Sequence, residues 1–479
     1  MSSDDQYDVI VIGAGAVGEN LADRTVQGGL RTLLIEHELV GGECSYWACM
    51  PSKALLRSAA ALNAARAVGG AAEAISGDRV DVAAVLARRD SFAAHWDDSG
   101  QVRWVEQAGI DLARGHARLD GARTVVITDA EGATRRVTAR HAVAVCTGSG
   151  ASIPPIEGLV EAEPWTSREV TSAKEVPGSL AIIGGGVVAV EMATAYTALG
   201  CSVTVIARGR LLAALEDFAG DAVAQRLQES GARVLTHTGT TRVERDATGR
   251  VRMSLAGCDT IEADEVVVAT GRTPRTADVG VDTLGLDHLT PGDALPVDDT
   301  MLVTGTDWLY AAGDATMRAP LTHQGKYQAR AAGDAISARA AGRPIDDAPW
   351  GTHVATADHR AVPQVCFSSP EVASVGLTAD QAAEAGIPTR VVDYALGRVA
   401  GVSVHRDGAE GQARLVVDAE RDVIVGFTVV GDEVAELLHA ATVTIVGEVP
   451  IARLWHAVPA YPTASEVWLR LLEALGRPS

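Results

Sequence analysis

Short uninterrupted apolar runs alternate with helix-like stretches along the first two-thirds of the chain. Residues 7–12, Tyr-Asp-Val-Ile-Val-Ile, have the character of a strand buried on both faces in a parallel sheet. The turn Gly13-Ala14-Gly15-Ala16-Val17-Gly18 leads to a predicted helix over 19–27 and a second strand over 31–35, ending at Glu36. The pattern returns as a strand over 179–183, the turn Gly184-Gly185-Gly186-Val187-Val188-Ala189, a helix over 190–199 and a strand over 202–206. Between the two copies lie an alanine-rich helical stretch over 54–74, a second helical region over 80–108 and short strands within 110–129. A later apolar strand, 308–312, ends in Gly313-Asp314. Residues 342–363 are rich in Pro, Asp, His and Gly and lack periodicity, which marks a linker. Beyond it, strands over 414–417 and 423–427 alternate with helices over 435–446 and 465–475, an α+β module without a glycine fingerprint.

Each glycine turn joins a strand to a helix, as in dinucleotide-binding βαβ units. There the first glycine makes the turn, the second lets the backbone approach a pyrophosphate and the third admits close helix packing. An acid about twenty residues on meets a ribose hydroxyl. Gly13, Gly15, Gly18 and Glu36 stand in that register. The second copy offers Gly184, Gly186 and Ala189, and its strand ends in Ala207-Arg208-Gly209-Arg210 with no carboxylate. A missing acid beside two arginines suits a 2′-phosphate, so this site is expected to prefer NADPH over NADH. The plainer alternative is that Arg208 and Arg210 are solvated surface charges. Two such units imply two nucleotides, one held permanently and one exchanging.

Composition narrows the partners. At 479 residues and 47% hydrophobic, with no Pro/Gly/Ser-dominated tract, the chain is expected to fold throughout into about three domains. A net charge of −21 argues against nucleic acid or an anionic membrane. The acidic start, Met1-Ser2-Ser3-Asp4-Asp5-Gln6, lacks the regions of a signal peptide, and no apolar run reaches the length of a membrane span. Both signs point to the cytoplasm. Structural disulfides are rare there, so a close cysteine pair would be catalytic.

Such a pair exists. Cys44 and Cys49 lie in Gly41-Gly42-Glu43-Cys44-Ser45-Tyr46-Trp47-Ala48-Cys49-Met50-Pro51-Ser52-Lys53. In a regular helix, residues five apart are separated by about 8.6 Å between Cα atoms, and a disulfide needs roughly 4.4–6.8 Å. Bridging therefore requires a break in helical geometry, which Gly41-Gly42 could supply. Pro51 suits the first turn of the next helix, whose N-terminus would favour a Cys49 thiolate. The alternative is two unrelated reduced thiols. Cys146 and Cys366 look like buried strand positions, Cys201 begins a strand and Cys258 sits in a turn; none is given a chemical role.

Taken together, these segments resemble the flavoprotein pyridine nucleotide-disulfide oxidoreductases: glutathione reductase, lipoamide dehydrogenase, mercuric reductase and soluble transhydrogenase. The resemblance also includes Thr147-Gly148-Ser149, Ala269-Thr270-Gly271-Arg272-Thr273-Pro274, Gly313-Asp314 and 369–378, and so covers nearly the whole chain. It implies an α/β fold with two Rossmann-like domains and a C-terminal α+β dimerisation domain. The implied order is an FAD-binding domain (1–155), an NADPH-binding domain (156–275), the second part of the FAD domain (276–345) and the dimerisation domain (364–479). It further implies that Gly13, Gly15, Gly18 and Glu36 bind the adenosine half of FAD and Asp314 the ribitol side. Gly42, Gly148 and Gly271 join these as cofactor-binding positions. Cys49 would face the flavin, Cys44 would exchange with substrate, and Lys53 would pair with Glu191 beside the flavin N5. The implied oligomer is a two-fold homodimer in which the C-terminal module completes the partner's active site.

The chain also departs from its relatives. Thiol-handling members carry His-Pro-Thr followed by a glutamate; here the segment is Ala460-Tyr461-Pro462-Thr463-Ala464-Ser465-Glu466. Tyr461 stands at the histidine position and Glu466 at the glutamate position. A phenol titrating near 10 can donate a proton but is a poor base at neutral pH. His456, five residues earlier, is an alternative acid/base. Tyrosine here is similar to mercuric reductase and transhydrogenase, yet the chain has no cysteine after Cys366, and both redox cysteines remain. The leading expectation is an NADPH-dependent FAD enzyme passing electrons through Cys44–Cys49 to a small disulfide or thiol-reactive acceptor. The alternative is a metal-ion or quinone reductase or a transhydrogenase-like diaphorase. No resident metal site is expected.

Overall fold

Apolar runs become parallel strands because elements packed on both faces leave no side of the sheet in water. In the computed structural model, which describes residues 5–77, 79–257 and 259–477, the first run forms the strand Gln6–Ile12. It pairs in parallel with Thr32–Glu36 on one side and with the long strand Thr134–Val145 on the other. Asp111–Arg114 extends the sheet past Thr32–Glu36, and Leu309–Ala311 pairs in parallel with Thr134–Val145. Two antiparallel strands, His116–Leu119 and Thr124–Thr128, complete seven among the described residues.

Strand alternation sorts the side chains between two cores. Val9 and Val11 join Leu21, Ala329, Ala332 and Ile336 of the covering helices. Ile10 and Ile12 face Val279, Leu289 and Val303. The covering helices, Ala16–Gln27 and Thr322–Ala340, meet closely. A Cβ added at Gly325 would lie 2.5 Å from Val17 Cγ2, and one at Gly333 2.7 Å from Arg24 Cβ.

These strands and helices belong to one of two compact units, Met1–Pro51 with Asp90–Ala151 and Arg272–Asp358. The other comprises Ser52–Arg89, Ser152–Gly271 and His359–Ser479. Residues 52–89, placed by the sequence with the first flavin segment, therefore cluster with the second unit. That unit holds a parallel sheet ordered Arg233–Leu235, Ser202–Ile206, Ser179–Ile183, Glu265–Val268. It also holds a three-stranded antiparallel sheet, 240–263, and a five-stranded antiparallel sheet between Gln364 and Gly431. One core joins Val190 and Met192 of the Rossmann helix to Leu55, Val85, Cys366 and Val430.

Three expectations shift. The helical stretch over 54–74 ends as Cys49–Arg66, because the following Gly69-Gly70 disfavours continuation. The region 80–108 splits into Val82–Phe92 and Ser99–Gln107, broken where Ala94, His95 and Trp96 take φ of 48°, 52° and 58°. The segment 342–363 has only the short helical turn Thr356–His359 and joins the two units at Asp358, but it also buries Val354, Ala355 and Ala361, so it packs as well as links. Cys146, Cys201 and Cys366 are buried; Cys258 lies outside the described residues. No described helix is long and apolar enough to cross a membrane.

Candidate active site

The first glycine turn is built by close approach. A Cβ at Gly18 would sit 1.9 Å from the Gly13 carbonyl oxygen, so this third glycine lets helix and strand touch. Gly13, with φ of 97°, would bring a Cβ to 2.6 Å from Cys146 O, and Gly42 one to 2.8 Å from Gly15 Cα. Gly15 differs: a Cβ there meets only Gly42 Cα, at 3.9 Å. Gly15 caps the helix Ala16–Gln27 without any side-chain acceptor, leaving first-turn N–H groups for an anion. Nearby in sequence to Gly148, the Thr147 hydroxyl is buried without a hydrogen-bond partner among the described residues, and a Cβ on Gly148 would meet open space. Open backbone, uncapped helix start and an orphaned hydroxyl together fit a phosphorylated dinucleotide.

Glu36 closes that turn. Its Oε2 accepts the Ala14 N–H at 2.7 Å, and its Oε1 accepts those of His37 and Glu38 at 2.9 and 2.8 Å. Burial pushes the carboxyl up, but His37 and these N–H groups outweigh it and hold Glu36 below its ordinary value. Glu19, on the adjoining helix, goes the other way. Burial pushes it up to about 7, against the pull of Lys326, and its Oε1 has no hydrogen-bond partner among the described residues. Asp314, in the turn Gly313–Thr316, accepts the Ser149 hydroxyl at 2.5 Å. Arg272 fixes that serine through its Oγ (2.6 Å) and its carbonyl (2.7 Å). Gly271, with φ of 143° and open space beside it, precedes the strand Arg272–Pro274.

The thiols follow from a break between two helices. Cys44 lies within Gly42–Tyr46, and Cys49 begins Cys49–Arg66. The break falls at Trp47, whose φ of −138° leaves the helical region, rather than at Gly41-Gly42. Gly42, with φ of 58°, instead admits the close approach to Gly15, while Gly41, with φ of 114°, leaves room for Ser45 and Tyr46. Tyr46 anchors the turn, buried and donating to Val40 O at 3.0 Å. Cys44 and Cys49 are thiols in this structure and hydrogen-bond each other. That bond, then burial and the charge of Cys49, holds the Cys44 thiol far above its ordinary value, with Thr322 and Lys326 pulling the other way. The Thr322 hydroxyl lies 3.3 Å from Cys49 Sγ.

The second unit carries an ion pair and a second glycine turn. Glu191, on the helix Val187–Ala198, is 3% exposed. Its Oε2 receives Lys53 Nζ at 2.8 Å, and its Oε1 accepts the Phe367 N–H at 3.0 Å. Both oxygens are therefore fixed. Lys53 Nζ also lies 5.1 Å over the Phe367 ring. Gly184, with φ of 142°, would bring a Cβ to 2.2 Å from Ala269 O; Gly186 caps the helix beside open space, and Ala189 is fully buried. The two arginines separate. Arg210 donates to Ala213 O and Leu215 O at 3.1 and 2.6 Å and pairs with Asp217 at 2.7 Å, so it holds its own loop. Arg208 is exposed and makes no hydrogen bond or ion pair with the described residues.

Near the C-terminus, Tyr461 is 77% exposed and precedes a cis proline. Glu466 begins the helix Glu466–Leu475, is 3% exposed, and its Oε2 lacks a hydrogen-bond partner among the described residues. His456 is exposed. No group of three described His, Cys, Asp or Glu residues could hold a metal.

The family model described as pyridine nucleotide-disulphide oxidoreductase matches residues 7–333, and that of its dimerisation domain residues 362–471. The chain belongs to this family. Oxidoreductases of this family bind FAD and a pyridine nucleotide, so the protein is an enzyme with an α/β redox region followed by a dimerisation domain. It is 31% identical to a dihydrolipoyl dehydrogenase of Chlamydia muridarum over 465 residues, 96% of this chain and 95% of that one. It is 27% identical to a mercuric reductase of Lysinibacillus sphaericus over 467 residues, 97% of this chain and 82% of that one. In fold it is similar to the HOCl-induced flavoprotein disulfide reductase RclA of Escherichia coli, solved as a Cu(II) complex. The TM-score is 0.83 at 22% identity, covering 98% of this chain and 99% of that one.

Sequence reading of this oxidoreductase missed Thr322 at Cys49, Ser149 and Arg272 at Asp314, and Phe367 at Glu191. Ser149 and Arg272 stand in motifs already singled out. Thr322 and Phe367 carry no local signal, because only tertiary folding brings them to their partners.

Proposed function

We propose that the protein is an NADPH-dependent, FAD-containing disulfide oxidoreductase acting through Cys44 and Cys49 on a small disulfide or other thiol-reactive acceptor. One observation carries this reading: two thiols hydrogen-bonded to each other, with a threonine hydroxyl on Cys49. FAD, held by Gly13, Gly15, Gly18, Glu36, Gly42, Gly148 and Asp314, supplies hydride acceptance from the nucleotide and delivery of electron pairs.

The chain's own residues do the rest. Lys53, fixed by Glu191, places a positive charge that favours negative charge developing near it. Cys44 loses its proton and attacks one sulfur of an oxidised acceptor, forming a mixed disulfide and releasing the first thiolate. Cys49, its thiolate favoured by the Thr322 hydroxyl, attacks the Cys44 sulfur. The Cys44–Cys49 bond closes, the second thiolate leaves, and the two protons given up by the cysteines end on the released thiols. Tyr461 serves as a proton donor to a leaving thiolate, and it acts from a second copy of the chain. The dimerisation domain, the exposure of Tyr461 and Val458 (77% and 84%) and the unpartnered Glu466 oxygen support that homodimer.

NADPH is preferred because Arg208 is free at the strand end where an NAD-type site would hold an acid. Gly184, Gly186, Ala189 and Gly271 shape that nucleotide's cradle. The Cys44→Ser protein tests the assignment: turnover of disulfides with NADPH should fall at least about 100-fold. Undiminished turnover with every acceptor would remove thiol exchange from the mechanism. It would favour a second reading, electron delivery to a metal ion, a quinone or another nucleotide, which rests on Tyr461 replacing an imidazole and on the likeness to proteins named mercuric reductase.

A further inference from the structure

Behind the Lys53–Glu191 pair, within the second unit, lies a cleft of about 610 Å³, in the range of small-molecule sites. Its apolar wall includes Leu56, Val80, Ala195, Leu227 and Phe367, the last being the residue whose N–H holds Glu191. Its charged lining is four arginines, Arg66, Arg79, Arg226 and Arg406, against one carboxylate, Asp407. In a chain of net charge −21 that imbalance is local and opposite in sign.

The arginines are only partly engaged. Arg66 donates to Gly77 O at 2.8 Å, Arg226 pairs with Glu229 at 3.5 Å and Arg406 with Asp432 at 3.1 Å. Arg79 is exposed and makes no hydrogen bond or ion pair with the described residues. A second feature is independent of charge. Thr194 and Thr197 both line the cleft; Thr194 Oγ1 donates to Val190 O at 2.9 Å, whereas Thr197 Oγ1 is buried with no hydrogen-bond partner among the described residues. A buried hydroxyl left unpaired costs about 1–3 kcal/mol, and Thr197 Oγ1 is such a donor in the cleft wall.

We propose that this cleft binds a small organic anion, an apolar body bearing a carboxylate, sulfonate or phosphate, with the body on Leu56, Leu227 and Phe367 and the anionic group among the arginines. Its lining includes no residue of the second glycine turn and neither thiol, and its occupancy does not depend on which acceptor the enzyme reduces.

Calorimetric titration of the flavin-loaded protein with naphthalene-2-sulfonate tests this, with NAD+ and NADP+ both in excess to fill the nucleotide site. Saturable binding of one molecule per chain is expected, weakened about tenfold by Arg79→Ala and at least tenfold relative to the sulfonate for neutral 2-naphthol. Ala60→Trp, an exposed position at the cleft, should abolish it by filling the space. Arg79 and Ala60 are both exposed, so neither change threatens the core, and Arg79→Ala alone decides if the tryptophan variant does not fold. Absence of binding, equal affinity in Arg79→Ala, or equal affinity for 2-naphthol would each overturn the proposal.

Discussion

At the end of the strand Thr32–Glu36 a carboxylate collects three backbone N–H groups, whereas at the end of Ser202–Ile206 an arginine stands free in solvent. The two glycine turns leading to these ends follow one plan. In each, the first glycine takes positive φ against a backbone carbonyl, and the second caps a helix beside open space. They differ at the third position, where Gly18 lies against Gly13 O while the second turn accommodates the methyl of Ala189. The first cradle is tighter and internally hydrogen-bonded. The second is looser, with its charge outside. A permanently bound nucleotide and an exchanging one are physically suited to that contrast.

The largest effect should come from erasing the difference at the third position. Gly18→Ala forces a Cβ into a carbonyl at 1.9 Å and should cost about 3 kcal/mol. Ala189→Gly should cost only about 1 kcal/mol. Thermal unfolding and retained flavin absorbance compare the two, and equal losses would show that the turns are equally tight.

Next in size is the loss of the closing acid. Glu36→Ala strands three N–H groups and should cost about 2 kcal/mol. Because the folded carboxyl is held below its ordinary value near 4.5, its stabilisation is present above that value. It is lost as pH falls through the lowered folded value. The gap between wild type and Glu36→Ala in unfolding free energy should therefore close in acid.

Glu19 carries the opposite sign in the same cradle. Its carboxyl rises from 4.5 to about 7 in the folded protein, so its contribution is full below about 4.5 and gone above about 7. Glu19→Gln should stabilise the protein at pH 8 by about 1.5 kcal/mol, with no gain at pH 4, as urea unfolding at the two pH values would show. A pH-independent gain would remove ionisation as the cause.

The smallest effects sharpen the other cradle. Arg208→Ala should raise KM for NADPH about tenfold and leave that for NADH nearly unchanged. Arg210→Ala should lower stability by about 1 kcal/mol without altering the NADPH to NADH ratio, because its guanidinium holds Ala213 and Leu215 carbonyls. A changed ratio in Arg210→Ala would mean that both arginines meet the nucleotide.

Both turns were legible in the sequence because the fingerprint is local: glycine spacing, flanking strands and, in the first turn, a terminal acid lie within one βαβ unit. The strand 202–206 is read to the residue for the same reason. What escaped depends on distance along the chain. Thr134–Val145 inserts beside Gln6–Ile12, some 130 residues away, and no pattern within either strand specifies that pairing. The break at Ala94–Trp96 has no glycine or proline to signal it. Lys53 and Glu191 are 138 positions apart; only family resemblance, not spacing, suggested a pair that lies at 2.8 Å. Arg210 looks equivalent to Arg208 in the sequence, and only the fold of 211–217 turns it inward.

Gly325 sits one turn beyond Thr322 on its helix, where a methyl group would strike Val17 at 2.5 Å. The hydroxyl that meets Cys49 is thus seated by how deeply one helix can nestle into its neighbour. Enlarging residue 325 by a single carbon would lift the threonine away from sulfur. The contact at that sulfur is thereby set from a buried position between two helices.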